Sequence, residues 1–311
     1  MRAIGVTEFG GPEKLRVVEV PEPHPGPGEV RIRVHAATVN PTDTVLRAGY
    51  RALSDRQPPY VPGMDAAGVI SEVGEGTRWQ VGDEVMAIVV PTGPRGGAYA
   101  DQIVVPAESV VRIPQGADFA AASTLPMNGL TARLALDQLG LSAGQTIAVT
   151  GAAGAFGGYV IQLAKADGLR VIADASASDE ELVRKLGADD IVRRGDDVAD
   201  RIRALVPDGV DGVADGAVHN ERVAPAIRDR GGLAVVRYWK GEPGRGITLH
   251  RVMVVSAAKD TAALNRLREQ AEQGLITLRV ARVFPAAEAA DAHRALEAGG
   301  VRGRLVLDFS S

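Results

Sequence analysis

Hydrophobic and polar positions follow two different periods along this chain. In the first hundred or so residues they alternate at the strand period of two. Val30-Arg-Ile-Arg-Val34 is the clearest case, and Ala67–Val73, Val85–Val90 and Ala100–Val105 read as further short strands separated by Gly and Pro turns. This predicts an irregular all-β domain. From Thr146 the pattern changes to short apolar strands that alternate with helical segments. The strands are Thr146–Thr150, Leu169–Asp174, Ile191-Val192, Val210–Ala214 and Gly232–Val236. The helices follow Gly157, then lie near Glu180–Lys185 and near Val198–Val206. Such βα alternation predicts a parallel sheet covered by helices. A helix near Thr261–Gln273 and two tail strands, Leu278–Phe284 and Arg304–Phe309, lead back out. The predicted fold class is therefore α/β with two domains: residues 119–256 as the doubly wound domain, and residues 1–118 with 257–311 as the β-rich domain.

One run carries most of the chemistry. After the strand Thr146–Thr150 comes Gly151-Ala152-Ala-Gly154-Ala155-Phe156-Gly157, and then a helix with Val160, Ile161, Leu163 and Ala164 on its apolar side. Strand, glycine triplet and amphipathic helix make a dinucleotide cradle. Gly151 supplies the tight turn, Gly154 the close approach to a pyrophosphate, and Gly157 the close packing of helix on strand. Asp174 ends the next strand about twenty residues on, where it accepts hydrogen bonds from ribose hydroxyls or caps the following helix.

Composition narrows the function classes. The 311 residues are 45% hydrophobic, enough for two cores. A net charge of −4 and a pI of about 5.8 give no electrostatic footprint for nucleic acid, and no run of Lys or Arg points to a membrane surface. No apolar run approaches the roughly 18 residues of a membrane-spanning helix, and the N-terminal residues read as a strand, so a cytoplasmic location is expected. The chain has no cysteine, which excludes disulfides and thiolate metal sites.

Beyond the cradle, an ordered series of motifs runs through nearly the whole chain. It comprises Pro62-Gly63-Met64-Asp65-Ala-Ala-Gly68, Val73-Gly74, Val81-Gly82-Asp83-Glu-Val85, Gly97-Ala98-Tyr99-Ala100, Thr124-Leu-Pro-Met-Asn128-Gly129-Leu-Thr131-Ala132, Ala292-His293 and Gly303-Arg304-Leu-Val-Leu307. In this order they resemble the medium-chain dehydrogenases/reductases, and most closely the quinone oxidoreductase branch. The resemblance implies a GroES-like irregular β-barrel catalytic domain beside a Rossmann-type nucleotide domain, with the active site in the cleft. It also implies a homodimer built through edge strands near Ile247–Val255.

Zinc-using members of that family carry a cysteine and a Gly-His-Glu among their metal ligands. The matching positions here are Asn40 and Gly63-Met64-Asp65, and the four-cysteine structural lobe is absent. An amide and a thioether are poor substitutes for thiolate and imidazole on tetrahedral zinc, so no zinc is expected. The five histidines show no ligand spacing. Hydride transfer from a nicotinamide to an electron-poor carbon needs no Lewis acid, which favours a reductase of quinones or conjugated enones over an alcohol dehydrogenase. Enoyl-thioester reduction, and a catalytically silent cofactor-binding structural protein, are the alternatives.

Site residues follow from the resemblance. Tyr50, in a segment like that which carries a tyrosine in the enoyl-thioester reductases but one residue early, is the first candidate for the proton donor. Tyr60 is the second and Asn40 an orienting donor. Asn128 and Thr131 are expected near the nicotinamide ribose or pyrophosphate. Family habit points to NADP(H), although the usual lysine and tyrosine that read its phosphate are replaced by Asp179 or Glu180 and by Arg194. Arg193, Arg194, Ser176 and Ser178 are available to a 2′-phosphate, whereas Asp174 favours NAD(H). Asp215 ends its strand where the family often has Asp-x-x-Gly, with Gly216 beside it and no glycine at the family position. In Val236-Arg237-Tyr238-Trp239, Arg237 replaces a glycine, and Tyr238 lies beside the nicotinamide or at a subunit contact.

Overall fold

In a computed structural model of the chain, residues 1–50 and 57–310 are described. The chain divides into two units, one of Met1–Met127, Ala258–Glu272 and Leu278–Ser311, the other of Asn128–Ala257 and Gln273–Thr277.

In chain order the first unit contributes β1 (Arg2–Gly5), β2 (Arg16–Glu19), β3 (Glu29–Thr38), α1 (Pro41–Arg47), β4 (Asp65–Val73), β5 (Glu84–Ile88), β6 (Gln102–Pro106), β7 (Val110–Arg112) and α2 (Phe119–Ser123). The helix α3 (Pro126–Leu139) leads into the second unit. That unit holds β8 (Thr146–Thr150), α4 (Ala155–Ala166), β9 (Arg170–Ala175), α5 (Glu180–Lys185), β10 (Asp190–Arg193), α6 (Val198–Leu205), β11 (Val210–Asp215), β12 (Ile227–Val235) and β13 (Thr248–Arg251). The chain then returns through α7 (Thr261–Glu272), β14 (Val280–Pro285), α8 (Ala289–Ala298) and β15 (Arg304–Asp308).

The first unit is built on a seven-stranded sheet. Its order is β14-β15-β3-β4-β5-β7, with β6 also paired to β3. The alternation predicted from sequence is realised in β3, where Val30, Ile32 and Val34 are buried and Arg33 is exposed. Opposite them Gly68 permits an unusually close pairing, because a Cβ there would lie 2.0 Å from the Arg33 carbonyl oxygen. The register shifts at this point, between Val34 and Ala36.

The second unit is a six-stranded, all-parallel sheet in the order β10-β9-β8-β11-β12-β13. Counted from its own first strand this is 3-2-1-4-5-6, so the strand order reverses at β8 beside β11. In open α/β sheets ligands bind outside the carboxyl ends of the strands at such a reversal.

The division differs from the sequence expectation at Ala257, which falls in the second unit, and over two longer stretches. Phe119–Met127 packs with the first unit, because α2 lies on β3 and β4 and the Phe119 ring stacks on His35 with centroids 4.5 Å apart. Conversely, Gln273–Thr277 belongs to the second unit, where the Thr277 N–H and hydroxyl both donate to Gln162 Oε1 at 3.0 Å.

A buried polar chain crosses the core of the first unit. The Tyr99 hydroxyl donates to Asp43 Oδ2 at 3.1 Å, and His293 Nε2 lies 3.2 Å from the same hydroxyl. Arg47 donates to His293 Nδ1 at 3.3 Å and reaches Glu297 at 2.6 Å. These contacts assign one tautomer, since Arg47 can only donate: Nδ1 accepts and the Nε2 proton goes to Tyr99. Burial and the neighbouring Arg47 charge accordingly hold the His293 pKa down to about 3, so the ring is neutral. Asp43 responds in the opposite direction. Burial lifts it to about 6, against the backbone N–H bonds from Asn40 and Gly63.

The two groups give opposing pH dependences. Asp43 contributes stability below its ordinary carboxyl range, and this is lost as pH rises through about 6. His293 contributes stability above the ordinary imidazole pKa of 6.5, and this is lost as pH falls towards about 3, because only the unfolded chain takes up the proton. Replacing His293 with Gln, which can accept from Arg47 and donate to Tyr99, is expected to flatten the acid limb. Relative to wild type, the variant should gain roughly 3 kcal/mol between pH 7 and pH 4 in urea titrations. Parallel pH–stability curves would show that His293 is not the titrating group.

Candidate functional site

The glycine turn after β8 has the geometry its sequence implies. Gly151 has φ +65, a left-handed conformation that disfavours any side chain. A Cβ on Gly157 would lie 2.5 Å from the Gly151 carbonyl oxygen and 2.7 Å from Ala152 Cα, so only glycine lets α4 come this close to its strand. Gly154 begins α4 with no side chain capping the first turn, and the N–H groups of Ala155 and Phe156 stand at the positive end of a twelve-residue helix. An anionic pyrophosphate fits such an end.

Three strand ends brace this turn. From β9, Asp174 Oδ1 accepts the Ala152 N–H at 3.0 Å. From β8, the Thr150 hydroxyl donates to Asp215 Oδ1 of β11 at 2.6 Å and accepts the Ala217 N–H at 3.3 Å. The other oxygen of Asp215 accepts the Asn220 N–H at 2.7 Å. Asp174 is only 3% exposed, and burial raises its pKa against the pull of the Ala152 N–H and the nearby Arg194 and His219 charges. Its buried Oδ2 has no hydrogen-bond partner among the described residues. A carboxylate oxygen in that state calls for a hydrogen-bond donor.

The loop after β11 is strained. Val218, three residues past Asp215, has φ 61, and Asn220 has φ 56. Left-handed backbone at an L-residue costs about 1–2 kcal/mol, and a β-branched side chain tolerates it poorly. The family glycine missing from this position is thus replaced by a valine held in a glycine-like conformation. Gly216 lets the Phe156 ring lie close, since a Cβ there would meet that ring at 3.0 Å.

The other expected cofactor residues are scattered in character. Asn128 and Thr131 are buried on α3. The Ser176 hydroxyl is committed to Asp179 Oδ2 at 2.6 Å, with Ser178 at 3.0 Å. Arg193 and Arg194 are exposed at the end of β10. Arg237 and Tyr238 are exposed after β12, the guanidinium of Arg251 lying 5.8 Å from the Tyr238 ring centroid, while Trp239 packs against the core of the second unit.

In the first unit, Asn40, Asp65 and Arg304 are brought together in full burial. Asp65 Oδ2 accepts from the Thr38 hydroxyl at 2.7 Å, from Asn40 Nδ2 at 2.8 Å and from Arg304 at 3.2 Å, and Asp65 Oδ1 accepts the Met127 N–H at 2.6 Å. Arg304 also donates to Asn40 Oδ1 at 2.6 Å. The counter-charge of Asp65 is therefore a guanidinium. Among the described residues no group of three or more His, Cys, Asp or Glu side chains is placed to hold a metal ion.

The tyrosines differ sharply. Tyr50 follows α1 and is 83% exposed. Tyr60 is half-buried, bridged to Val6 through paired backbone hydrogen bonds of 2.8 and 3.0 Å and stacked on Phe9 at 4.8 Å. The segment between Tyr50 and Gln57 lies outside the described residues.

Of the braces, Asp174 and Asp215 were legible in the sequence, whereas Thr150 and Asn220 carry no motif, and the only local signal for Asp43 was its place three residues after Asn40, which forms a capping box on α1.

Comparison with known proteins agrees with this geometry. Residues 26–115 match the alcohol dehydrogenase GroES-like domain, and residues 186–307 match the zinc-binding dehydrogenase model. A quinone oxidoreductase from Sus scrofa is 28% identical, over 99% of this chain and 97% of its own. An NADPH-dependent alkenal/one oxidoreductase of Arabidopsis thaliana, a chloroplastic protein, is 32% identical over 99% of this chain and 79% of its own. The solved structure of a mycobacterial protein complexed with NADPH superposes with a TM-score of 0.88 at 30% identity, covering 99% of this chain and 100% of that one. On motifs, fold and relatives together, the chain is an oxidoreductase that belongs to the medium-chain dehydrogenase/reductase superfamily, in its quinone oxidoreductase-like branch.

Proposed function

We propose that this chain transfers a hydride from NADPH to a quinone or a conjugated enone without the help of a metal. The observation that carries this reading is the braced glycine turn, whose backbone only glycine can form and whose helix end is left without a side-chain cap. The names of the relatives support the substrate class and the nucleotide.

When bound, the nucleotide supplies the hydride from its nicotinamide ring. The chain's own residues do the rest. The amides at the start of α4 take the pyrophosphate, and Thr150, Asp174 and Asp215 fix the turn so that no reorganisation is needed on binding. Asn128 and Thr131 are assigned to the nicotinamide half. Reduction of an enone or quinone leaves negative charge on oxygen, which needs a hydrogen-bond donor and then a proton. Tyr50, whose phenol is accessible, is assigned that role, with Tyr60 as the second candidate. The Asn40 amide is already spent on Asp65 and Arg304, so Asn40 acts by holding the start of α1.

Zinc-independence follows from the donors available. An amide and a thioether stand at two family ligand positions, and the third, Asp65, is neutralised by Arg304. A homodimer fits the open edge of the second sheet, where β13 has no outer partner among the described residues and Met253 and Val255 are exposed. No helix among the described residues is long and apolar enough to cross a membrane.

NADPH oxidation should accelerate with 1,4-benzoquinone or 9,10-phenanthrenequinone and with simple enones, more than with crotonyl thioesters. Tyr50→Phe should lower that turnover by about a hundred- to ten-thousandfold, as loss of a general acid does. Silence across the panel despite nucleotide binding would convert the protein into a binding module, and an unchanged Tyr50→Phe rate would pass the role to Tyr60. Metal analysis of purified active protein should find no stoichiometric zinc, and zinc at one ion per chain would refute the metal-free reading. Light scattering after size exclusion is expected to give a dimer mass, and a clean monomer would remove the edge-strand assignment.

A further inference from the structure

Three side-chain atoms at the carboxyl ends of β9 and β11 are buried without a hydrogen-bond partner among the described residues: Asp174 Oδ2, His219 Nδ1 and Asn220 Oδ1. Asp174 cannot turn to satisfy itself, because Ala152 holds its other oxygen. The Arg194 N–H donates to the carbonyl of Ala175, next to Asp174, at 2.9 Å, and the loop that carries His219 packs on the glycine turn, where a Cβ on Gly151 would lie 3.0 Å from the Ala217 nitrogen; neither side chain is bonded to the carboxylate. A buried acceptor without a partner thus shares this end of the sheet with two nitrogen-bearing side chains. His219 is also fixed in place. Its loop is pinned by the Ala217 N–H to Thr150 and the Asn220 N–H to Asp215, with left-handed backbone at Val218 and Asn220 on either side of it.

The group that completes such a site offers a hydroxyl proton to Asp174 and negative charge to Arg194 and His219. A ribose with a 3′-hydroxyl beside a 2′-phosphate has both. The position where the family resemblance expects a phosphate-reading lysine does not serve here, because Asp179 is acidic and already takes the Ser176 proton, which leaves Arg194 at the tyrosine position. Arg194 alone is outnumbered, since a phosphate monoester adds about 1.5 to 2 negative charges next to the one on Asp174. A second donor is required, and His219, whose Nδ1 has no partner among the described residues, offers one.

We propose that His219 is a specificity-determining residue that receives, together with Arg194, the 2′-phosphate of NADPH while Asp174 Oδ2 accepts the adjacent 3′-hydroxyl. The assignment rests on the dinucleotide reading given above. It differs from a structural role for His219 in acting on one nucleotide and not the other.

Calorimetry with NADP⁺, NAD⁺, 2′,5′-ADP and 5′-ADP tests it without turnover. His219→Ala and Arg194→Ala should each weaken NADP⁺ and 2′,5′-ADP by about ten- to a hundredfold, the loss of one charge-assisted contact, and leave NAD⁺ and 5′-ADP within about twofold. His219→Lys should keep the preference for the phosphorylated ligands, and His219→Gln should reduce it while keeping most of the side-chain volume. Equal weakening of both ligand classes in His219→Ala, or no weakening of either, overturns the assignment and leaves the dinucleotide reading intact. Wild-type protein that binds neither dinucleotide overturns both.

Discussion

The buried pairing of Asp65 with Arg304 is the constraint on which the first unit closes. An unpaired carboxylate at zero exposure would be prohibitive, and removing one partner of such a pair typically costs about 3–5 kcal/mol. The groups that satisfy it come from far apart in the sequence. Thr38 ends β3, Asn40 begins α1, Asp65 begins β4, Met127 lies in the first turn of α3, and Arg304 begins β15. A 239-residue separation between Asp65 and Arg304 is thereby closed by one guanidinium. The cation that balances Asp65 is thus covalently part of the chain.

The second unit solves a different problem with similar means. A glycine turn that must leave its amides to a ligand cannot also be stabilised by them. Its rigidity comes from the neighbours, through Asp174 on Ala152 and through the Thr150–Asp215 pair that anchors the strained loop at Val218. Strain at Val218 and the unsatisfied oxygen of Asp174 lie at the same end of the sheet, where the strand order reverses. Both are costs to the folded chain that a bound nucleotide would offset.

Several features were legible in the residues alone. Alternation in Val30–Val34 and the glycine triplet at 151, 154 and 157 correspond to β3 and to the turn into α4, because both are local consequences of side-chain period and backbone freedom. The end of the first domain was less legible. Phe119 begins a short helix whose partner, His35, is more than eighty residues away, and no local pattern reports that stack. Asn40 and Ser176 were readable as polar residues near the chemistry, but their amide and hydroxyl groups are spent on Asp65, Arg304 and Asp179.

By itself the sequence determined the two periods, the nucleotide cradle, the absence of any thiolate ligand and the family, since each depends on residue type and spacing within a few turns of chain. Only the tertiary structure decided which polar atoms are consumed in the fold and which are left over. That is a matter of distances between strand ends, so the neutrality of His293, the guanidinium on Asp65 and the orphaned oxygen of Asp174 follow from long-range packing and burial, which no local pattern encodes.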